Sequence, residues 1–150
     1  MVVETAKLRD LDDLLQVGEA FQQESPLHGI QKFDVDKSKR FLTHMISNDQ
    51  HCMFVARSKG KLSGFIAGGL RSMYYSHDKY LSEYIYFVTP NSRGSLAAKK
   101  LLDKFCEWGK DNDAKAAELG ISTGINPERA DKFMKKVGFK YMGANFYKEL

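Results

Sequence analysis

Tyr80-Leu-Ser-Glu83-Tyr-Ile-Tyr-Phe87-Val88-Thr-Pro90, then Asn91-Ser-Arg93-Gly94-Ser95-Leu96-Ala97-Ala98, then Lys99-Lys-Leu-Leu-Asp-Lys-Phe105-Cys-Glu-Trp108 is the stretch that decides the fold. It reads as an aromatic and β-branched strand, a turn of small residues, and an amphipathic helix. A strand that runs straight into a helix start leaves unpaired backbone N–H groups pointing at one spot. The helix dipole adds positive potential there, so the spot suits phosphate. Gly94 permits the tight bend, small residues at 95, 97 and 98 let a ligand reach the backbone, and Arg93 adds planar cationic donors. A helix that merely begins with small residues is the competing reading of this turn. The ending Gly-Lys-Ser/Thr of a mononucleotide loop is missing, as is the three-glycine dinucleotide spacing.

Outward from this centre, Val2–Ala6 reads as a first strand and Asp10–Glu24 as a helix with Leu11, Leu14, Leu15, Gly18 and Phe21 on one face. A second helix is expected over Asp36–Asn48. Strands follow at Cys52–Arg57 and Leu62–Leu70, joined by the hairpin signal Ser58-Lys-Gly-Lys61. Ser72–Lys79 is expected as a loop or a frayed strand end, Glu83–Val88 as the central strand and Leu96–Asn112 as the strongest helix. Ala117–Ser122 suits a short buried strand. Pro127–Val137 suits a helix with proline in its first turn and Gly138 beyond its end. Phe139–Met142 and Phe146–Leu150 are expected as a last strand pair. Gly64, Gly68 and Gly69 lie inside a strand pattern, which points to close strand packing. The expected order is β-α-α-β-β-β-α-β-α-β-β, a mixed α/β (α+β) fold of one domain over residues 1–150 with helices on both faces of one sheet.

Hydrophobic residues make up 43% of the chain and charged residues 28%, ordinary values for a globular protein. No apolar run is long enough to span a bilayer, and the N-terminus lacks the apolar core of a secretory signal. Two cysteines, Cys52 and Cys106, fit small core positions in a reducing, cytoplasmic setting. The net charge of +4 comes from 23 basic and 19 acidic residues that are interspersed. It accommodates an anionic ligand without calling for nucleic acid, and neither nucleic acid nor membrane is expected as a partner. His28, His44, His51 and His77 have no metal-ligand spacing, so no metal is expected.

Three motifs in order resemble those of the GNAT superfamily of acyl-CoA-dependent N-acyltransferases. The family signature Arg/Gln-x-x-Gly-x-Gly/Ala is similar to Arg93 through Ala98, with Leu96 where glycine is usual. Ala130-Asp-Lys-Phe133-Met134-Lys-Lys-Val137-Gly138-Phe139 resembles the family's Ala-x-x-Phe-Tyr-Glu-Lys-Leu-Gly-Phe. Ala6 through Leu15 resembles its first strand-to-helix junction. The resemblance implies a mostly antiparallel sheet, acetyl-CoA as cosubstrate, and transfer of its acetyl group to a primary amine by direct attack. It implies Glu83 as the base, against the plainer reading of a surface carboxylate. It also implies that backbone groups of Phe87 and Val88 face the pantetheine arm and thioester oxygen. Arg93, Gly94, Ser95, Leu96, Ala97 and Ala98 would hold the pyrophosphate, with Asn126 as a further CoA contact and Lys99, Lys100, Lys135 and Lys136 as long-range attraction. Met134 stands where the family often has a proton-donating tyrosine, and methionine cannot donate. Tyr141 and Tyr147 are substitute candidates.

Glu24, His28, Tyr74 and Tyr75 are the candidates for lining the acceptor pocket. The tyrosine pair suits either cation–π contact with an alkylammonium or strand-edge packing. The acceptor is expected to be an amine-bearing small molecule or a protein or peptide, and a homodimer is left open. Leu96 and Met134 also motivate a rival reading, a CoA-binding or protein-interaction module with weak or no turnover.

Overall fold

The computed structural model describes residues 1–121 and 123–150. Among these, five strands form one sheet in sequence order: β1 (Val2–Thr5), β2 (His51–Ser58), β3 (Lys61–Ser72), β4 (Lys79–Val88) and β5 (Ala117–Glu118). β1 to β4 pair antiparallel, and β5 joins β4 in parallel. Helices α1 (Leu11–Glu24) and α2 (Val35–Ser47) cover one face; α3 (Ala97–Asp111) and α4 (Pro127–Lys136) cover the other. No helix among the described residues is long and apolar enough to cross a membrane.

Each face has its own apolar core. Leu14, Leu42 and Met45 pack with Met53, Val55, Phe65, Ala67 and Phe87 on the α1/α2 side. Leu101, Leu102 and Phe105 pack with Phe54, Ala56, Ile66 and Leu81 on the α3 side. The glycines of β3 are close-packing positions. A Cβ on Gly68 would lie 2.4 Å from the Ser82 carbonyl oxygen and 2.6 Å from the Phe105 ring, and one on Gly64 would lie 2.6 Å from the Phe87 carbonyl oxygen. The β1–α1 junction is pinned by Asp10. Its carboxylate accepts from the Lys7 N–H at 2.8 Å and pairs with Arg57 at 2.7 Å, while Arg57 also reaches Asp13 at 2.8 Å. Burial pushes the Asp10 carboxyl up, but the Lys7 amide and Arg57 outweigh that and hold it below its ordinary value.

β4 carries a bulge. Gly68 pairs with Glu83 and Ala67 with Ile85, so Tyr84 is an extra residue. The bulge reverses the facing of the strand. Leu81 belongs to the α3-side core, yet Ile85 and Phe87, an even number of residues later, belong to the α1/α2 side, and Tyr86 and Val88 turn to α3.

Two expectations need correction. Residues 140–150 form no strand pair: they make no ladder, and Tyr141, Met142, Phe146, Tyr147 and Leu150 are all exposed. A hairpin without a face to bury is marginal in water, and β5 offers only a two-residue edge beside it. The strand expected over Ala117–Ser122 is confined to Ala117–Glu118, and Ser122 lies outside the described residues. Cys52 is buried, Cys106 is half-buried, and both are free thiols.

Candidate active site

β4 and β5 stay together for two rungs only, Leu81 with Ala117 and Ser82 with Glu118. Two side-chain bridges close the point of divergence. The Ser82 hydroxyl donates to Glu118 at 3.1 Å, and the Gly120 N–H donates to Glu83 Oε2 at 3.2 Å. Beyond them the outer edge of β4 from Glu83 to Val88 has no strand partner among the described residues. Six residues at roughly 3.3 Å each leave an open edge of roughly 20 Å.

Strand alternation decides which backbone groups line that opening. The Thr89 N–H donates to the Ser63 carbonyl of β3 at 2.9 Å. Phe87, two residues earlier, therefore also turns its backbone to β3, while Tyr86 and Val88 turn theirs outward. The Val88 carbonyl is taken by Arg93 Nε at 3.1 Å, which leaves the Val88 N–H facing the opening. Of the two residues expected there, Val88 turns its backbone to the opening and Phe87 turns its own to β3. Phe87 contributes its buried ring instead, 5.6 Å from that of Phe21. The Tyr86 hydroxyl donates to the Ala98 carbonyl at 3.0 Å and ties β4 to the first turn of α3.

The turn into α3 is a cradle. Gly94 has φ of +86°, in the left-handed region. The amides of Gly94, Leu96, Ala98 and Lys99 have no acceptor among the described residues, and no side chain caps the helix. Ser95 supports the turn: its hydroxyl donates to the Ser92 carbonyl at 2.6 Å and accepts from the Ala97 N–H at 3.2 Å. Ala97 is fully buried as the helix anchor, whereas the Leu96 side chain is 62% exposed. Its bulk therefore stands out in solvent while its N–H remains available.

Glu83 is half-buried at the bulge. Burial pushes its carboxyl up to about 7; the Gly120 amide opposes that rise and the neighbouring Glu118 charge adds to it. A carboxyl titrating there can take a proton near neutral pH. Met134 is half-buried against the α3-side core and offers no proton, and Tyr141 and Tyr147 are exposed on the C-terminal segment.

The remaining candidates divide. Glu24, at the end of α1, reaches the cradle turn and pairs with Arg93. His28 lies in the turn after α1, its Nδ1 3.0 Å from Gln22 Oε1. Tyr74 and Tyr75 are 100% and 72% exposed in the β3–β4 loop, their rings 5.1 Å apart in a T shape. That loop begins beyond Lys79, about four strand residues or roughly 13 Å from Glu83. Asn126 has φ of +46°, and its side-chain oxygen caps α4 by accepting from the Arg129 N–H at 3.3 Å. Lys99 and Lys135 are engaged by Asp103 and Asp131. Sequence reasoning missed Arg129. Its terminal nitrogen lies 3.4 Å from where a Cβ on Gly94 would sit. Among the described residues no group of three or more His, Cys, Asp or Glu side chains could hold a metal ion.

Splayed strands, outward amides and an uncapped helix start make an opening suited to an anionic ligand, with the Glu83 carboxyl at the point of divergence. Comparison with known proteins gives the family. The profile of the acetyltransferase (GNAT) family matches residues 15–139. An uncharacterized N-acetyltransferase of Archaeoglobus fulgidus is 29% identical over 135 residues, spanning 89% of this chain and 88% of its own. Among solved structures, AAC(6')-Iy in complex with the bisubstrate analog CoA-S-monomethyl-acetylneamine superposes with a TM-score of 0.79 at 16% identity, covering 99% of this chain and 97% of that one. Ribosomal-protein-alanine N-acetyltransferase from Brucella melitensis biovar Abortus 2308 superposes with a TM-score of 0.71 at 15% identity, covering 100% of both chains. The chain belongs to the GNAT acetyltransferase family.

Proposed function

We propose that this protein transfers the acetyl group of acetyl-CoA to a primary amine by direct attack, with Glu83 as general base. The observation that carries the reading is the half-buried Glu83 carboxyl, set at the point where β4 and β5 part and held near neutrality. The neutral amine attacks the thioester carbonyl carbon as its proton passes to Glu83, directly or through water. The Val88 N–H faces the oxygen on which charge develops, a donor worth about 3 kcal/mol of barrier lowering. Collapse forms the amide, breaks the carbon–sulfur bond and expels the thiolate. A thiol pKa of about 8.5 makes that departure tolerable without an acid at Met134. The unpaired amides of Gly94, Leu96, Ala98 and Lys99 hold the diphosphate. Similarity to AAC(6')-Iy and to a ribosomal-protein-alanine N-acetyltransferase supports an amine acceptor, on a small molecule or on a peptide. Glu83 and Glu118 together favour approach of a cationic amine at the opening.

Thiol release from acetyl-CoA across a panel of amines and peptides tests the reading. Glu83→Gln should lower release roughly a hundredfold or more while calorimetric acetyl-CoA binding persists. Tight binding without release for every acceptor would instead make the protein a CoA-binding module.

A further inference from the structure

We propose that Arg129, reaching back from α4, is the cation that clamps the diphosphate of acetyl-CoA at the Gly94 turn, while Arg93 is a positioning residue that braces the end of β4. This rests on the cradle assigned above.

Arg93 occupies the motif position from which a phosphate contact would be expected, but its side chain is committed elsewhere. Its Nε donates to the Val88 carbonyl at 3.1 Å, its terminal nitrogen pairs with Glu24, and its guanidinium carbon stands 5.5 Å from the Phe87 ring centre. A guanidinium neutralised by a carboxylate and seated on an aromatic face has little net charge to offer a diphosphate. What it does hold is the carbonyl of Val88, the residue whose own N–H faces the opening, and it links that residue to the end of α1.

Arg129 has the opposite profile. It is exposed and makes no ion pair with any carboxylate among the described residues. Its own backbone is fixed by the Asn126 cap at 3.3 Å. Its guanidinium hangs over Gly94, 3.4 Å from the position of the missing Cβ. The absence of that Cβ leaves an unobstructed approach between the guanidinium and the unpaired amides. The planar fork of arginine matches phosphate oxygens in pairs, so amides from α3 and a fork from α4 would grip the anion from two sides.

Calorimetry with acetyl-CoA, acetyl-3′-dephospho-CoA and S-acetylpantetheine separates the two roles, backed by thiol release from each donor. Arg129→Ala should weaken binding of both nucleotide donors by the same factor, roughly ten- to a hundredfold, and leave kcat/KM with S-acetylpantetheine unchanged. Arg129→Lys should recover part of the loss. Arg93→Ala should impair all three donors alike and lower kcat even with S-acetylpantetheine. The assignment is overturned if Arg129→Ala binds acetyl-CoA like wild type, if its loss is confined to the 3′-phosphorylated donor, or if the Arg93→Ala defect disappears with S-acetylpantetheine. A wild-type protein that binds no donor removes the cradle itself and this clamp with it. Thermal melting of each variant shows that the fold is retained, and Arg129→Glu, with a deeper loss than alanine, serves as a second reading of the same contact.

Discussion

At the scale of single residues, the proposed base Glu83 ties catalysis to stability. Its carboxyl titrates at about 7 in the folded protein against an ordinary value of 4.5. The folded state thus binds this proton more tightly than the unfolded chain. Its contribution to stability is full below about pH 4.5 and is lost as pH rises through 7. Glu83→Gln should therefore melt higher than wild type at pH 8 and level with it at pH 4. The same ionisation should give kcat/KM a limb that rises through pH 7 with a weakly basic acceptor, whose own titration lies lower. Glu118→Gln removes a repelling charge and should move that limb to lower pH. A limb that stays in place in Glu118→Gln, or survives in Glu83→Gln, would assign it to another group. The Glu83 position was readable from the strand in front of the motif. Its titration was not, because that depends first on burial and then on Gly120 and Glu118, more than thirty residues along the chain.

Elements with a strong period were legible before any coordinates. The stripe Leu101, Leu102 and Phe105 marks α3, and all three side chains are buried. The glycine pattern of β3 was legible as close packing, and its consequence is quantitative. Gly68→Ala sets a Cβ against both the Ser82 carbonyl and the Phe105 ring, so β4 and α3 must both yield, at about 3 kcal/mol. Gly18→Ala, in the interior of α1 with nothing within 4 Å, should instead stabilise by roughly 0.5–1 kcal/mol. Urea unfolding of the two variants checks the contrast. Two features were hidden from the sequence. The run 139–150 alternates like strands, but pattern alone does not say whether an edge is there to receive it. Arg129 sits beside Gly94 only because α4 and the α3 start come together in space, a meeting with no local signature.

Across the whole molecule, the bulge at Tyr84 lets one strand serve two cores. Leu81 and Phe87 would share a face in a regular strand, yet they belong to opposite sides of the sheet. β4 therefore holds one spare residue, and it is the place where the strand can be shortened without turning either half over. Removing Tyr84 would join the Gly68–Glu83 and Ala67–Ile85 rungs into an ordinary ladder, with every remaining side chain still on its own side. The carboxylate would, however, be drawn toward Val88 by one strand step, about 3.3 Å. Such a deletion should yield a cooperatively melting protein that still takes up acetyl-CoA and no longer acetylates, whereas deleting Phe87 would invert part of the strand and fail to fold. Folding tolerates a ruler of either length; the chemistry accepts only one.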